Sequence, residues 1–222
     1  MAAGRSAVTI RPAEGVLFEP VGCLAEFPSE PFHEIACRVF DLPRRKPSRS
    51  ASRAWWHLLN LLESSGQRSI ELLELEAVAA SILYEDVQPA LTQLKTMGIR
   101  LAIASSLSQT AVECFLAKHN LAALLDEVWS RDNSGGIKSL PLRRAAASGA
   151  IFLADTLEAI HTAKAAGLSP VLMMNDPDEA RRLAMHDPAG GIVSLHELPD
   201  FVKLVEMQAT PAPAAPPSRA PT

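Results

Sequence analysis

Apolar positions along this chain follow two rhythms, short unbroken runs and longer stretches at helical spacing. Val16 to Phe18 is an apolar run between Gly15 and the breaker pair Glu19-Pro20, with Gly22 following, which predicts a buried strand ending in a tight loop. From Pro28 to about Leu83 the spacing turns helical, through Ile35, Val39 and Phe40, then Trp55, Leu58, Leu59 and Leu62, then Leu72, Leu73, Leu75 and Val78. This predicts a helical insert of about 55 residues with no strand inside it.

Beyond the insert the two rhythms alternate. Val87 to Met97 reads as a helix closed by Gly98, and Ile99 to Ala104 as a buried strand. Ser106 with Gln109 three residues later predicts a capping box that opens the next helix. Val128-Trp129 is a short strand, Leu142 to Ala147 a short helix and Ile151 to Ala154 a strand. Leu157 to Ala166 is a helix closed by Gly167, and Pro170 to Met174 another strand. Asp176-Pro177-Asp178-Glu179 orders an N-cap, a first-turn proline and acids at the head of a further helix, and Ser194 with Glu197 heads the last one. Strands alternating with helices predict an α/β protein: a Rossmann-like parallel sheet flanked by helices, with a small helical insert. The boundaries read from this pattern are 1–26 for the first strand and its loop, 27–83 for the insert, 84–207 for the α/β core and 208–222 for a disordered Pro/Ala-rich tail.

Composition narrows the function. A charge of −4 over 222 residues and a pI near 5.9 argue against a binder of nucleic acid through bulk charge. No apolar run reaches membrane-spanning length and Met1 to Ile10 lacks the order of a secretory signal, so a cytoplasmic, membrane-free location is expected. Cys23, Cys37 and Cys114 have no zinc spacing and leave one over from any pairing, as reduced structural thiols would. The histidines share no ligand spacing. Arg44 to Arg53 holds five basic residues and no acid. It reads as a solvated linker, or alternatively as a contact for a phosphorylated or nucleic-acid partner beside Trp55-Trp56.

In parallel sheets the working residues lie just beyond the carboxyl ends of the strands. That rule selects Glu19 to Gly22, Ser105-Ser106, Lys138, and Asp155 with Glu158, which together put acids, hydroxyls and an ammonium on one rim, a set suited to a phosphate and a divalent cation. Each has a plainer reading. Glu19 could be a solvent-facing strand-end acid, Asp155 could cap the helix beginning at Leu157, Ser105 and Ser106 could be N-caps, and Lys138 an ordinary loop lysine.

The strings that carry these residues resemble the haloacid dehalogenase superfamily of aspartate-dependent phosphohydrolases. IFLADTLEAIHTAKAAGLSPVLM is similar to the family's fourth motif, with Asp155 as the metal-binding acid. LAIASSLSQ places Ser105 where the family has the hydroxyl that binds the transferring phosphoryl group, and GGIKSLP places Lys138 as its phosphate-neutralising lysine. The insert resembles the family's cap domain. The resemblance implies Glu19, Ser105 and Lys138 in catalysis, with Mg²⁺ held by Glu19, the Val21 backbone carbonyl, Asp155 and Glu158, and a small phosphorylated metabolite as substrate. Within the superfamily the strings look most like the acireductone synthase (enolase-phosphatase) branch or phosphoglycolate-phosphatase-like members.

The first motif departs from the family. VLFEPVGCL places Glu19 at the nucleophilic aspartate and Val21 at the general acid–base aspartate, with Cys23 in place of a threonine. An added methylene moves the carboxylate by roughly 1.5 Å, a misplacement that can lower a rate about a hundredfold, and losing general acid–base help lowers it by a further ~10²–10⁴. In the fourth motif the second acid falls on Ala159, with Glu158 beside it. The sequence therefore predicts a phosphatase relative with impaired catalysis or, alternatively, a non-catalytic module that binds a phospho-ligand or, through its cap, a protein partner.

Overall fold

The structure, a computed structural model, describes residues 15–40, 50–65, 70–146, 151–174 and 177–209. The expected disordered tail, all but its first two residues, and most of the basic segment lie outside these residues. The described residues open with β1 (Gly15–Phe18), a single tight turn over Pro20–Leu24, and β2 (Ala25–Glu26). Helices α1 (Ser29–Val39), α2 (Ala51–Ser65) and α3 (Glu71–Ala80) follow, then β3 (Ile82–Leu83), α4 (Val87–Thr96), β4 (Arg100–Ala104), α5 (Gln109–Lys118) and β5 (Glu127–Trp129). The remainder is α6 (Arg131–Ser134), α7 (Ser139–Ala145), β6 (Ile151–Ala154), α8 (Leu157–Ala165), β7 (Ser169–Met173), α9 (Pro177–Ala184), β8 (Gly190–Ile192) and α10 (Leu198–Ala209).

Among the described residues six strands form one parallel sheet in the order β5-β4-β1-β6-β7-β8. The apolar run that predicted β1 sits at its centre, with Val16 opposite Leu101 on one side and Ile151 on the other. Val16, Leu17 and Phe18 are fully buried because both faces and both edges of the strand are covered. The α/β reading of the sequence is thus the observed fold. The central strands bring Glu19, Ser105 and Asp155 to one end of the sheet.

Three local readings change. Ser106 does not cap α5; Ser108 does, accepting from the Ala111 N–H, so the helix begins two residues later than the Ser106–Gln109 spacing predicts. Strand β8 carries one buried apolar side chain, Ile192, after two glycines. Its sequence has no strand signal, and pairing with β7 creates it. Ile82-Leu83, inside the stretch expected to hold no strand, pairs antiparallel with Ala25-Glu26. The chain leaves and re-enters the core at adjacent points, and two short extended pieces satisfy each other's backbone groups there.

Helices α1 to α3 lie between those paired strands and are packed on the rest of the molecule. Phe32 meets Trp55 at 5.1 Å between centroids, and Phe27 meets Phe115 of α5 at 5.8 Å. The C-terminal end of α3 has no glycine cap. The Lys118 ammonium from α5 donates instead to the carbonyls of Val78, Ala79 and Ser81, neutralising the helix's free acceptors.

Candidate active site

Glu19 leaves β1 in extended conformation, and the chain turns at Gly22, whose φ of +85° only glycine adopts without strain. The adjacent strand β4 ends beside it in the same sheet, so Ser105 and Ser106 meet the Glu19 carboxyl directly. The Ser105 hydroxyl donates to Glu19 Oε1 at 2.6 Å and the Ser106 N–H to Oε2 at 3.4 Å. Glu19 is 4 % exposed, which excludes the solvent-facing reading. Burial pushes its carboxyl up to about 7, against the pull of the hydrogen bonds from Ser105 and Ser106. The Trp55 indole N–H of α2 lies close enough to favour the ionised form slightly, yet makes no well-formed hydrogen bond.

Asp155 follows β6 and stands apart from Glu19 in its bonding. Its Oδ2 accepts from the Ser52 hydroxyl at 2.5 Å, and the same Ser52 oxygen lies 3.4 Å from the Val21 carbonyl oxygen. Burial raises the Asp155 carboxyl to about 6, with the Ser52 hydrogen bond opposing. Asp155 does not cap the helix behind it. Thr156 does, accepting from the Ala159 N–H. Glu158 is exposed in the first turn of α8 and acts on Asp155 only as a neighbouring negative charge. The Val21 side chain is buried and apolar. The Cys23 thiol, also buried, donates to the Leu153 carbonyl at 3.5 Å and is held well above its ordinary range by burial, so it is a packing residue.

Lys138 adopts φ +58° before α7, and its N–H donates to the Ser106 hydroxyl at 2.8 Å. Ser106 therefore joins the Lys138 loop to Glu19. The Lys138 ammonium itself pairs with Glu63 of α2. Sixteen residues separate Lys138 from Asp155 in sequence, and the seven-residue α7 fits that short connection.

Sequence reasoning missed three residues. Ser52 sits in a basic stretch with nothing to mark it. Glu74 of α3 is fully buried and takes two hydrogen bonds from the Arg131 guanidinium, one of 2.8 Å, with a longer one from the Ser108 N–H. Arg131 in turn donates to the Ser106 carbonyl at 3.3 Å. A signal for Glu74 exists: it is an acid on the face that Ile70, Ala77 and Val78 make apolar.

The residues expected to hold Mg²⁺ do not fit the ion as they stand, because the space between the Val21 carbonyl and Asp155 holds the Ser52 hydroxyl. Among the described residues no group of three His, Cys, Asp or Glu side chains is arranged to hold a metal. Beside Asp155 opens a cleft of about 650 Å³, lined by Gly22 and Ser52 as well as by Arg53, Tyr84, Glu179 and Met174.

The family model described as haloacid dehalogenase-like hydrolase matches residues 66–173. No curated protein matches the chain in sequence. Solved structures share its fold. A predicted phosphatase from Clostridium acetobutylicum is 17 % identical, with a TM-score of 0.64 over 86 % of this chain and 99 % of its own. A predicted phosphoglycolate phosphatase from Haemophilus somnus is 17 % identical, with a TM-score of 0.60 over 88 % and 99 %. A HAD phosphatase from Thermococcus onnurineus is 19 % identical, with a TM-score of 0.55 over 85 % and 97 %. The fold is that of the haloacid dehalogenase-like hydrolases.

Proposed function

We propose that this chain, built on the haloacid dehalogenase-like hydrolase fold, is a relative of the Mg²⁺-dependent phosphatases of small phosphorylated metabolites whose own hydrolytic activity is impaired. The observation that carries the reading is the bonding of Glu19. A nucleophile must present an ionised oxygen to the phosphorus, and this carboxyl is buried and turned to the β4 loop, accepting from the Ser105 hydroxyl at 2.6 Å. Its raised pKa leaves about half of it protonated near neutral pH. Val21 offers no proton to a leaving group, and the Lys138 charge is drawn to Glu63 rather than to the carboxyl. Phosphoglycolate-phosphatase-like members are the branch this reading favours, since a neighbour of similar fold bears that description.

The test is hydrolysis of p-nitrophenyl phosphate and a panel of small phosphate monoesters with Mg²⁺. The expected result is a rate at least about a hundredfold below that of an active phosphatase of this fold, with no loss on Asp155→Ala. Vigorous turnover abolished by Asp155→Ala would overturn the reading.

The cleft beside Asp155 favours a second role for the same molecule, as a binding module for a small ligand. A thermal-shift screen of the same esters separates the two: stabilisation without turnover supports binding. No helix of the described residues is long and apolar enough to cross a membrane, and the free cysteines agree with work in the cytoplasm.

A further inference from the structure

We propose that the Ser52 hydroxyl stands in the cation position of this site, so that helix α2 of the insert closes it from within. Three observations converge. Ser52 is 2 % exposed, on the first turn of α2, and its hydroxyl lies 2.5 Å from Asp155 Oδ2 and 3.4 Å from the Val21 carbonyl oxygen. A magnesium ion needs oxygen ligands at about 2.0–2.1 Å on each side of it, and two oxygens already in hydrogen-bond contact leave no such gap. The backbone is crowded to the same point: a Cβ on Gly22 would fall 1.8 Å from Ser52 Oγ and 2.4 Å from Asp155 Oδ2.

A hydroxyl does there part of what a cation does. It supplies a positive hydrogen to Oδ2 of the half-buried Asp155 carboxylate without metal. It also lacks the second charge that would polarise a bound phosphoryl group. Helix α2 is held in this place along its length. Arg53 pairs with Glu179 of α9, Trp55 is buried over Glu19, and Glu63 pairs with Lys138 about 16 Å further along the helix axis. Glu74 on α3, bound to Arg131, fixes the same insert to the β4 side. The insert is thus a fixed wall with one side chain reaching into the metal position.

The experiment is a thermal melt of the full chain in EDTA and in millimolar MgCl₂. The native chain shows no shift with Mg²⁺. Ser52→Ala melts lower in EDTA, because Asp155 loses its donor, and recovers by roughly 2–4 °C with Mg²⁺ as the ion enters the vacated position. A Mg²⁺-dependent rise in the native chain, or a folded Ser52→Ala that does not respond, overturns the proposal. Ser52→Cys covers the case in which the alanine variant does not fold. It puts a soft ligand beside Asp155, so with the accessible thiols removed by Cys37→Ser and Cys114→Ser, Cd²⁺ raises its melting temperature and leaves the corresponding Ser52 chain unchanged. A folded Ser52→Cys indifferent to Cd²⁺ also overturns it. These readouts are independent of turnover: an active native enzyme with no Mg²⁺ shift would defeat the impaired-catalysis reading alone.

Discussion

The interior of β1 and its tip, one residue apart, have had opposite fates. Val16, Leu17 and Phe18 are fully buried between β4 and β6 and remain an ordinary central strand of this fold. Glu19 and Val21, immediately after, stand where the first-motif resemblance calls for aspartates. The match to the haloacid dehalogenase-like hydrolase model begins at residue 66 and leaves this whole region out, although the strand lies at the centre of the sheet. Packing constrains a strand interior through every neighbour it touches. The tip is buried too, but its polar groups are satisfied by hydrogen bonds, from Ser105 and Ser106 to Glu19 and from Ser52 to the Val21 carbonyl.

The sharpest break between the two regions is mutational. Phe18→Ala should destabilise the chain by about 3–5 kcal/mol, measured by denaturant unfolding, because a fully buried ring leaves a cavity in the centre of the sheet. A value under about 1 kcal/mol would mean that β1 is not the packed centre described.

At the tip the effect depends on pH and has the opposite sense. The Glu19 carboxyl titrates near 7 in the fold against an ordinary value of 4.5, so between those values the folded state holds the extra proton. Stability is therefore fullest below about pH 4.5 and is lost as pH rises through 7, by up to about 3 kcal/mol from this group. Asp155, raised from 3.8 to about 6, adds a loss of the same sign at lower pH. Glu19→Gln, which cannot ionise, should flatten the decline between pH 5 and 8 in chemical-denaturation curves and leave only the Asp155 part. An unchanged slope would show that Glu19 is not buried as a neutral acid.

The smallest effect belongs to the surface of the insert. Arg53 pairs with Glu179, but its side chain is 49 % exposed. Arg53→Ala should change stability by no more than about 1 kcal/mol, with any loss shrinking at high salt. A larger loss would mean that this pair, rather than Ser52 and the buried aromatic contacts, holds α2 against the core.

Much of this molecule was legible in one dimension. Buried parallel strands announce themselves as apolar runs, so β1, β4, β6 and β7 stand near the places their sequences predict. The strand-end rule picks out Glu19, Ser105 and Asp155, which the sheet does bring to one edge because the carboxyl ends of parallel strands lie there wherever they fall in the sequence, whereas Lys138 lies between α6 and α7. What these residues do to one another was not legible. The Ser106–Gln109 pair looks like a capping box, but the Ser106 hydroxyl is held by the Lys138 N–H, a partner more than thirty residues away. Asp155 looks equally suited to a cation or a helix cap, and only the fold shows a hydroxyl from α2 on it and Thr156 capping the helix.

The sequence by itself determined the class of fold, the line of the central strands and the identity of Glu19 and Val21 at the tip of the first one, since these rest on local pattern and residue identity. The tertiary structure alone decided that Glu19 faces Ser105, that Lys138 turns to Glu63, and that Ser52 reaches Asp155 across 103 positions of chain. Hydrogen bonds and ion pairs of that range depend on where whole elements dock, and docking is set by the sum of packing around a helix such as α2, which no local window contains.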